Sequence, residues 1–331
     1  MHQAIRNDEP VETLDHVTQP DEARLKVLVP SDLGLEIVGS SERIEAVRYQ
    51  PGEPWPPDHV DAAVAVVDNE NAAATGVRFK DLPELRLVQN LSAGYEQWLP
   101  YLPDGVALSN GRGAHGGSTA EWVVAVALAI YRELLQFNDC QVQGVWKPSD
   151  TETLIGKRVV VLGAGDLAVN LRDRLTPFET EVILVGTHAR QGVRALEDID
   201  EVLPDTDIVV SMLPGGDATR HIINAEFLAK LRDGAIVVNA GRGGAVDADA
   251  LLGELNSGRL RAALDVTDPE PLPPGHPLWS APGLLLTPHV AGSTTGAKER
   301  AWSVALAQIE TYADGGVPPN LVAGPGSGSG W

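Results

Sequence analysis

The chain has 331 residues, 43% of them hydrophobic, and its 46 acidic and 25 basic side chains give a formal charge of −21. This length exceeds one compact core and suits two domains, and no apolar run reaches the roughly 18 residues of a membrane span. So negative a surface makes nucleic acid and anionic membrane poor partners, and a single cysteine, Cys140, rules out an internal disulfide and a Cys-based metal site; no metal is expected.

Residues 1–24 are polar and acidic, without the basic start and apolar stretch of a secretion signal, so they read as a mobile extension of a cytoplasmic protein. Beyond them, β-branched runs alternate with helical patterns, which is the mark of a parallel α/β architecture. The first part shows strands at 26–29, 62–67 and 85–89. The second shows buried strands at 158–162, 182–185, 207–212, 235–239, 262–266 and 284–287. Between the two, Ser118-Thr119-Ala120-Glu121 has the form of a capping box opening an apolar helix to about Phe137. Asn224 and Asp247 are N-caps of helices closed by Gly234 and Gly258, and a last amphipathic helix spans 297–312. The Gly-rich end, residues 321–331, reads as a flexible tail.

The strand at 158–162 runs into Gly163-Ala164-Gly165-Asp166-Leu167-Ala168 and a helix to about Leu175. This is a G-x-G-x-x-A turn. Gly163 permits the bend, Gly165 admits a pyrophosphate close to the backbone, and Ala168 lets helix and strand pack closely. The helix N-terminus then offers free N–H groups to phosphate. The next strand ends at Gly186-Thr187-His188-Ala189-Arg190, where an NAD site carries an acid for the ribose 2′-hydroxyl. Gly186 replaces that acid, while Thr187, His188 and Arg190 can meet a 2′-phosphate. The expected cofactor is therefore NADP(H) in preference to NAD(H), against the plainer reading of Arg190 as a solvated loop residue.

Three later segments follow predicted strands: Asn239-Ala240-Gly241-Arg242-Gly243, Leu264-Asp265-Val266 through Glu270-Pro271-Leu272, and Thr287-Pro288-His289. Taken singly, each has an ordinary reading as a solvated arginine, a turn or a structural histidine. Together and in this order they resemble the D-2-hydroxyacid dehydrogenase family. Asn90-Leu91-Ser92-Ala93-Gly94 and Leu213-Pro214 through Thr219 add to the resemblance, which extends from about residue 85 to 317.

The resemblance implies a Rossmann coenzyme domain (116–290) inserted into a flavodoxin-like substrate domain (25–115, completed by 291–320), usually as a homodimer. It implies reversible reduction of a small 2-keto acid to the D-2-hydroxy acid. Arg242 would hold the substrate carboxylate and carbonyl, aided by the backbone of Ser92, Ala93 and Gly94. His289 would be the general acid/base and Glu270 its partner. Leu213, Pro214, Thr219, Ala240, Asp265 and His289 would complete the cofactor site, with Asp265 on the nicotinamide carboxamide. NADP-type relatives make glyoxylate and hydroxypyruvate the first expected substrates, and Tyr95, Trp98, Trp122 and Trp279 are candidate pocket walls. Glu270 argues against a formate enzyme, where Gln is usual. Two alternatives are a cofactor-sensing corepressor and an enzyme of the same fold acting on a non-carbon anion such as phosphite.

Overall fold

A computed structural model describes residues 24–69 and 71–325. The extension expected over 1–24 lies outside the described residues apart from Arg24, as does the end of the expected tail from 326 onward. The chain first lays down β1 (Leu25–Val29), α1 (Asp32–Val38), β2 (Ile44–Arg48), β3 (Val64–Val67), α2 (Ala72–Gly76), β4 (Leu87–Asn90) and β5 (Ala107–Ser109). It crosses through α3 (Gly116–Tyr131) and α4 (Leu134–Val142) to a second set of elements. These are β6 (Arg158–Leu162), α5 (Asp166–Leu175), β7 (Glu181–Gly186), β8 (Val193–Ala195), β9 (Ile208–Ser211), α6 (Ala225–Ala229), β10 (Ile236–Asn239), α7 (Ala248–Asn256), β11 (Arg261–Leu264) and β12 (Leu284–Leu286). It ends with α8 (Ala297–Ala313) and β13 (Leu321–Ala323).

The first sheet has the order β13-β5-β4-β3-β1-β2, parallel except for the antiparallel edge strand β13. Without β13 this is the flavodoxin-like order 2-1-3-4-5. The second sheet, β12-β11-β10-β9-β6-β7-β8, is the doubly wound Rossmann arrangement, reversing direction between β6 and β9. Its central strands are buried on both faces, as Val159, Val160, Val161, Val209, Val210, Val237 and Val238 show. Helices on both sides demand such continuous apolar runs, which is why these strands were legible in the sequence. α8 returns to the first sheet, where Trp302, Ala305 and Ile309 join the core of Val27, Val64 and Leu87. Gly34 on α1 makes room for the Trp302 ring, which a Cβ there would overlap. Among the described residues no helix is long and apolar enough to cross a membrane.

Several expectations need correction. Residues 321–323 are not part of a tail but pair with β5. The capping box at Ser118 is not one: α3 starts at Gly116, and the Ser118 hydroxyl donates back to His115 O at 3.0 Å. Glu121 instead reaches Arg174 of α5 at 3.3 Å. The apolar helix does not continue to Phe137, because Glu133 takes a left-handed φ of 49° and breaks it into α3 and α4. The two expected N-caps are in place: Asn224 accepts from Phe227 N at 3.0 Å, and Asp247 accepts from Asp249 N and Ala250 N at 3.1 Å.

Candidate active site

The dinucleotide turn lies at the carboxyl end of β6, beside the point where the sheet reverses. Gly163 has φ 120°, and a Cβ on it would stand 2.9 Å from Met212 O, so both torsion and space call for glycine. Gly165 differs: a Cβ there would meet nothing within 4 Å. The space above it is open to a ligand, at the N-terminus of a ten-residue helix. Asp166 and the half-buried Leu167 open that helix, and buried Ala168 packs under it. These features fit a pyrophosphate.

Gly186 is the buried last residue of β7, followed by exposed Thr187, His188 and Arg190. Arg190 folds back over Gly186, its Nη1 lying 3.1 Å from where a Cβ would be, and Nη2 donates to Ala164 O at 3.3 Å. The guanidinium thus spans the ends of β6 and β7. The 213–219 loop after β9 closes on itself, with the Thr219 hydroxyl donating to Pro214 O at 2.8 Å and Leu213 buried. Ala240, after β10, is nearly buried and donates its N–H to Ser211 O.

Next to this nucleotide side, β10, β11 and β12 are register neighbours, with Asn239 opposite Leu264 and Leu264 opposite Leu286. Arg242, Asp265 and His289 therefore emerge at one edge of the sheet. His289 adopts φ 55°, a conformation that costs a non-glycine residue roughly 1–3 kcal/mol and persists only where its surroundings impose it. Asp265 imposes it. Its carbonyl accepts from His289 N at 2.7 Å, and its buried carboxylate accepts from Thr287 Oγ1 at 2.5 Å, Val290 N at 2.8 Å and Ala291 N at 2.9 Å. Glu270 Oε1 lies 2.6 Å from His289 Nδ1. With Nδ1–H donated to that carboxylate, Nε2 is left for another partner.

The first sheet contributes the loop after β4. Asn90 Nδ2 donates to Ser92 O at 3.1 Å and Gly94 O at 2.6 Å, and Asn110 Nδ2 donates to Ala93 O at 2.7 Å. The carbonyls are tied back, and among the described residues none accepts a hydrogen bond from the N–H groups of Ala93 or Gly94. Arg242 reaches across to this loop. A Cβ on Gly94 would overlap its Nη2, so the glycine lets guanidinium and backbone donors share one place. Asn239 fixes the other end of the arginine, its Nδ2 donating to Arg242 O at 2.9 Å and its Oδ1 accepting from Gly241 N at 3.1 Å.

Glu96, Asn110 and Thr287 had no assigned part in the sequence reading. Glu96 Oε2 is 3.4 Å from Arg242 Nη2, and Oε1 accepts from Gly215 N at 2.8 Å. Burial would raise its carboxyl, but Arg242 and the N–H groups of Gly215 and Tyr95 outweigh burial and hold it below the usual glutamate value. The only sequence signal was its position two residues past Gly94. Of the expected pocket walls, Trp98 is wholly buried among Phe79 and Leu82 in the first-sheet core, so it lines no pocket, and Trp279 is exposed. Tyr95 and Trp122 are half-buried.

The NAD-binding domain of the D-isomer specific 2-hydroxyacid dehydrogenases matches residues 124–291. A glyoxylate reductase of Thermofilum pendens is 31% identical, the match covering 72% of this chain and 75% of that protein. The chain belongs to the D-isomer specific 2-hydroxyacid dehydrogenase family. It is, with that family, an NAD(P)-dependent oxidoreductase acting on a CH–OH group. Glyoxylate/hydroxypyruvate reductase A of Serratia proteamaculans is 30% identical over 78% of this chain and 85% of its own length. Among solved structures, a family member from Xanthobacter autotrophicus in complex with NADPH superimposes with a TM-score of 0.78 at 29% identity, covering 91% of this chain and 98% of that one. An NADPH-dependent glyoxylate/hydroxypyruvate reductase from Sinorhizobium meliloti gives 0.76 at 26% identity, covering 91% and 98%.

Proposed function

We propose that this dehydrogenase reduces a small monocarboxylic 2-keto acid, glyoxylate or hydroxypyruvate, to the D-2-hydroxy acid with NADPH. The observation that carries the reading is the convergence of Arg242 with the unengaged N–H groups of Ala93 and Gly94, at the sheet edge that also bears the His289–Glu270 pair. A guanidinium fork with adjacent backbone donors matches a planar carboxylate and its neighbouring carbonyl. His289 Nε2 gives a proton to the carbonyl oxygen during reduction and takes it back in the reverse direction, while Glu270 fixes the ring and balances its charge. Asp265 holds the His289 loop and is the proposed contact of the carboxamide. The nicotinamide, when bound, supplies the hydride; the protein's share is position, charge and exclusion of water.

The preference for NADPH rests on Gly186 and on the guanidinium of Arg190 folded over it. The Xanthobacter neighbour in complex with NADPH and the NADPH-dependent Sinorhizobium enzyme in complex with NADP agree with it. The reading includes two domains, one for each sheet, with the substrate between them and residues after 291, including β13, completing the first. A homodimer is part of the reading. α3 spends its apolar side on the chain's own core, burying Ala120, Val123, Val126 and Tyr131. One run of exposed apolar residues lies on α4 and the loop after it: Leu134, Leu135, Val142 at 80%, Val145 and Trp146 at 96% exposure. Residues 134–146 carry one charge, Asp139, on a chain of −21. Such a patch suits a second copy of the same acidic protein.

The assignment of His289 is tested by replacing it. His289→Ala is expected to lower the rate of keto-acid reduction by about 10² to 10⁴ with coenzyme affinity retained. A variant turning over like the parent would remove His289 from the chemistry.

A further inference from the structure

Both candidate cationic groups of the site carry a carboxylate of their own. His289 has Glu270 at 2.6 Å, and Arg242 has Glu96 at 3.4 Å. The nearby Arg220 is also paired, with Asp268 at 3.1 Å. Glu96 does not belong to the second sheet. It comes from the loop after β4, crosses to the loops after β9 and β10, and is held there by three donors: Tyr95 N at 2.9 Å, Gly215 N at 2.8 Å and Arg242 Nη2. The fit is close. A Cβ on Gly215 would stand 3.2 Å from Glu96 Oε1 and 3.5 Å from Arg242 Cγ. Both side chains are about one-third exposed, so solvent screens the pair only in part.

An incoming anion therefore meets a site whose formal charge is already cancelled. One carboxylate is still well served, because directed donors bind it: the remaining N–H groups of Arg242 and those of Ala93 and Gly94. A second carboxylate on the same substrate gains no unpaired cation, and it adds repulsion with Glu96.

We infer that Glu96 is a specificity-determining residue, whose charge beside Arg242 restricts the site to 2-keto acids with one carboxylate and rejects 2-keto diacids. The inference rests on the proposed keto-acid reduction and goes further by naming which acids are refused and which side chain refuses them.

Hydroxypyruvate and ketomalonate form a matched pair of probes, since a hydroxymethyl group in one is a carboxylate in the other. Initial rates of NADPH oxidation with each give a ratio of kcat/KM values, ketomalonate over hydroxypyruvate. Glu96→Gln keeps an acceptor for Gly215 N–H and removes the charge, and is expected to raise this ratio about tenfold at low ionic strength. Glu96→Asp keeps the charge and is expected to hold the ratio within about threefold of the parent. Salt raised to about 0.5 M screens Glu96 together with the rest of the −21 charge, so the ratio should rise more in the parent than in Glu96→Gln. A merely structural Glu96 would lower both kcat/KM values together, leave the ratio of the variant equal to that of the parent and give the two the same response to salt, and that result would overturn the inference. An enzyme inactive on both acids would overturn the reading beneath it, and the inference with it.

Discussion

At the level of single residues, the proposed preference for NADPH rests on Arg190. Gly186 ends β7 without a carboxylate, so nothing at that position repels a 2′-phosphate, and the Arg190 guanidinium lies over the gap. A charge-assisted contact of this kind contributes about 1.5–3 kcal/mol. Arg190→Ala is therefore expected to raise KM for NADPH about 10- to 100-fold and to change KM for NADH less than about threefold. Equal losses with both coenzymes would show Arg190 to be a solvated loop residue. Arg242, Glu270 and His289 could be picked out because each stands in a motif after a strand, buried β10 and β11 for the first two and the half-buried β12 for His289. Glu96 was not, because a loop acid gives no sign of the partner that folding brings to it from the other sheet.

At the level of elements, the joint between the two sheets is held by His115. It precedes α3 as its N-cap residue and packs against Gly292, on the segment that leads back towards α8. Burial pushes its imidazole below the ordinary histidine value, the Arg300 charge adds to this, and backbone contacts with Gly292 and Leu91 oppose it without prevailing. The folded form therefore binds a proton more weakly than the unfolded chain. His115 costs nothing above the unfolded value near pH 6.5, and stability falls as pH drops from there through the lowered folded value. The parent's urea midpoint should decline from about pH 7 to 5, and His115→Gln should flatten part of that decline. Identical slopes would mean that His115 does not titrate with unfolding. The joint was hidden from the sequence, where Ser118-x-x-Glu121 imitated a helix start. Four other strands escaped: β2 carries Glu45 and Arg48, and β5, β8 and β13 have three residues each, too few for a period to show, whereas the equally short β12 was marked by its all-leucine run.

At the level of the whole molecule, two largely parallel sheets bring the Ser92–Gly94 loop of one to the Gly163–Ala168 turn and the His289–Glu270 pair of the other, which is the arrangement that the proposed keto-acid site uses. The doubly wound order could be anticipated because its strands are buried on both faces and separated by strong turn signals. The surface behind the proposed dimer could not be located in this way, since an exposed apolar helix looks like a core helix until its neighbours are known; only the fold leaves α4 and Trp146 exposed. In solution the protein should have twice the 35.1 kDa mass of one chain by light scattering. The double variant Leu135→Ser, Trp146→Ser should shift the population towards monomer at micromolar concentration. A parent that is monomeric throughout would contradict the proposed dimer.

The central claim, reduction of a 2-keto monoacid by NADPH at the site built on Arg242 and His289, is tested most directly by absorbance at about 340 nm, the nicotinamide band of the reduced coenzyme. Purified protein would be mixed with glyoxylate or hydroxypyruvate, with NADPH and NADH in parallel. Substrate-dependent loss of the band is expected with at least one of these acids, faster with NADPH than with NADH. A band that stays constant with both acids, in protein that binds NADPH, would contradict it.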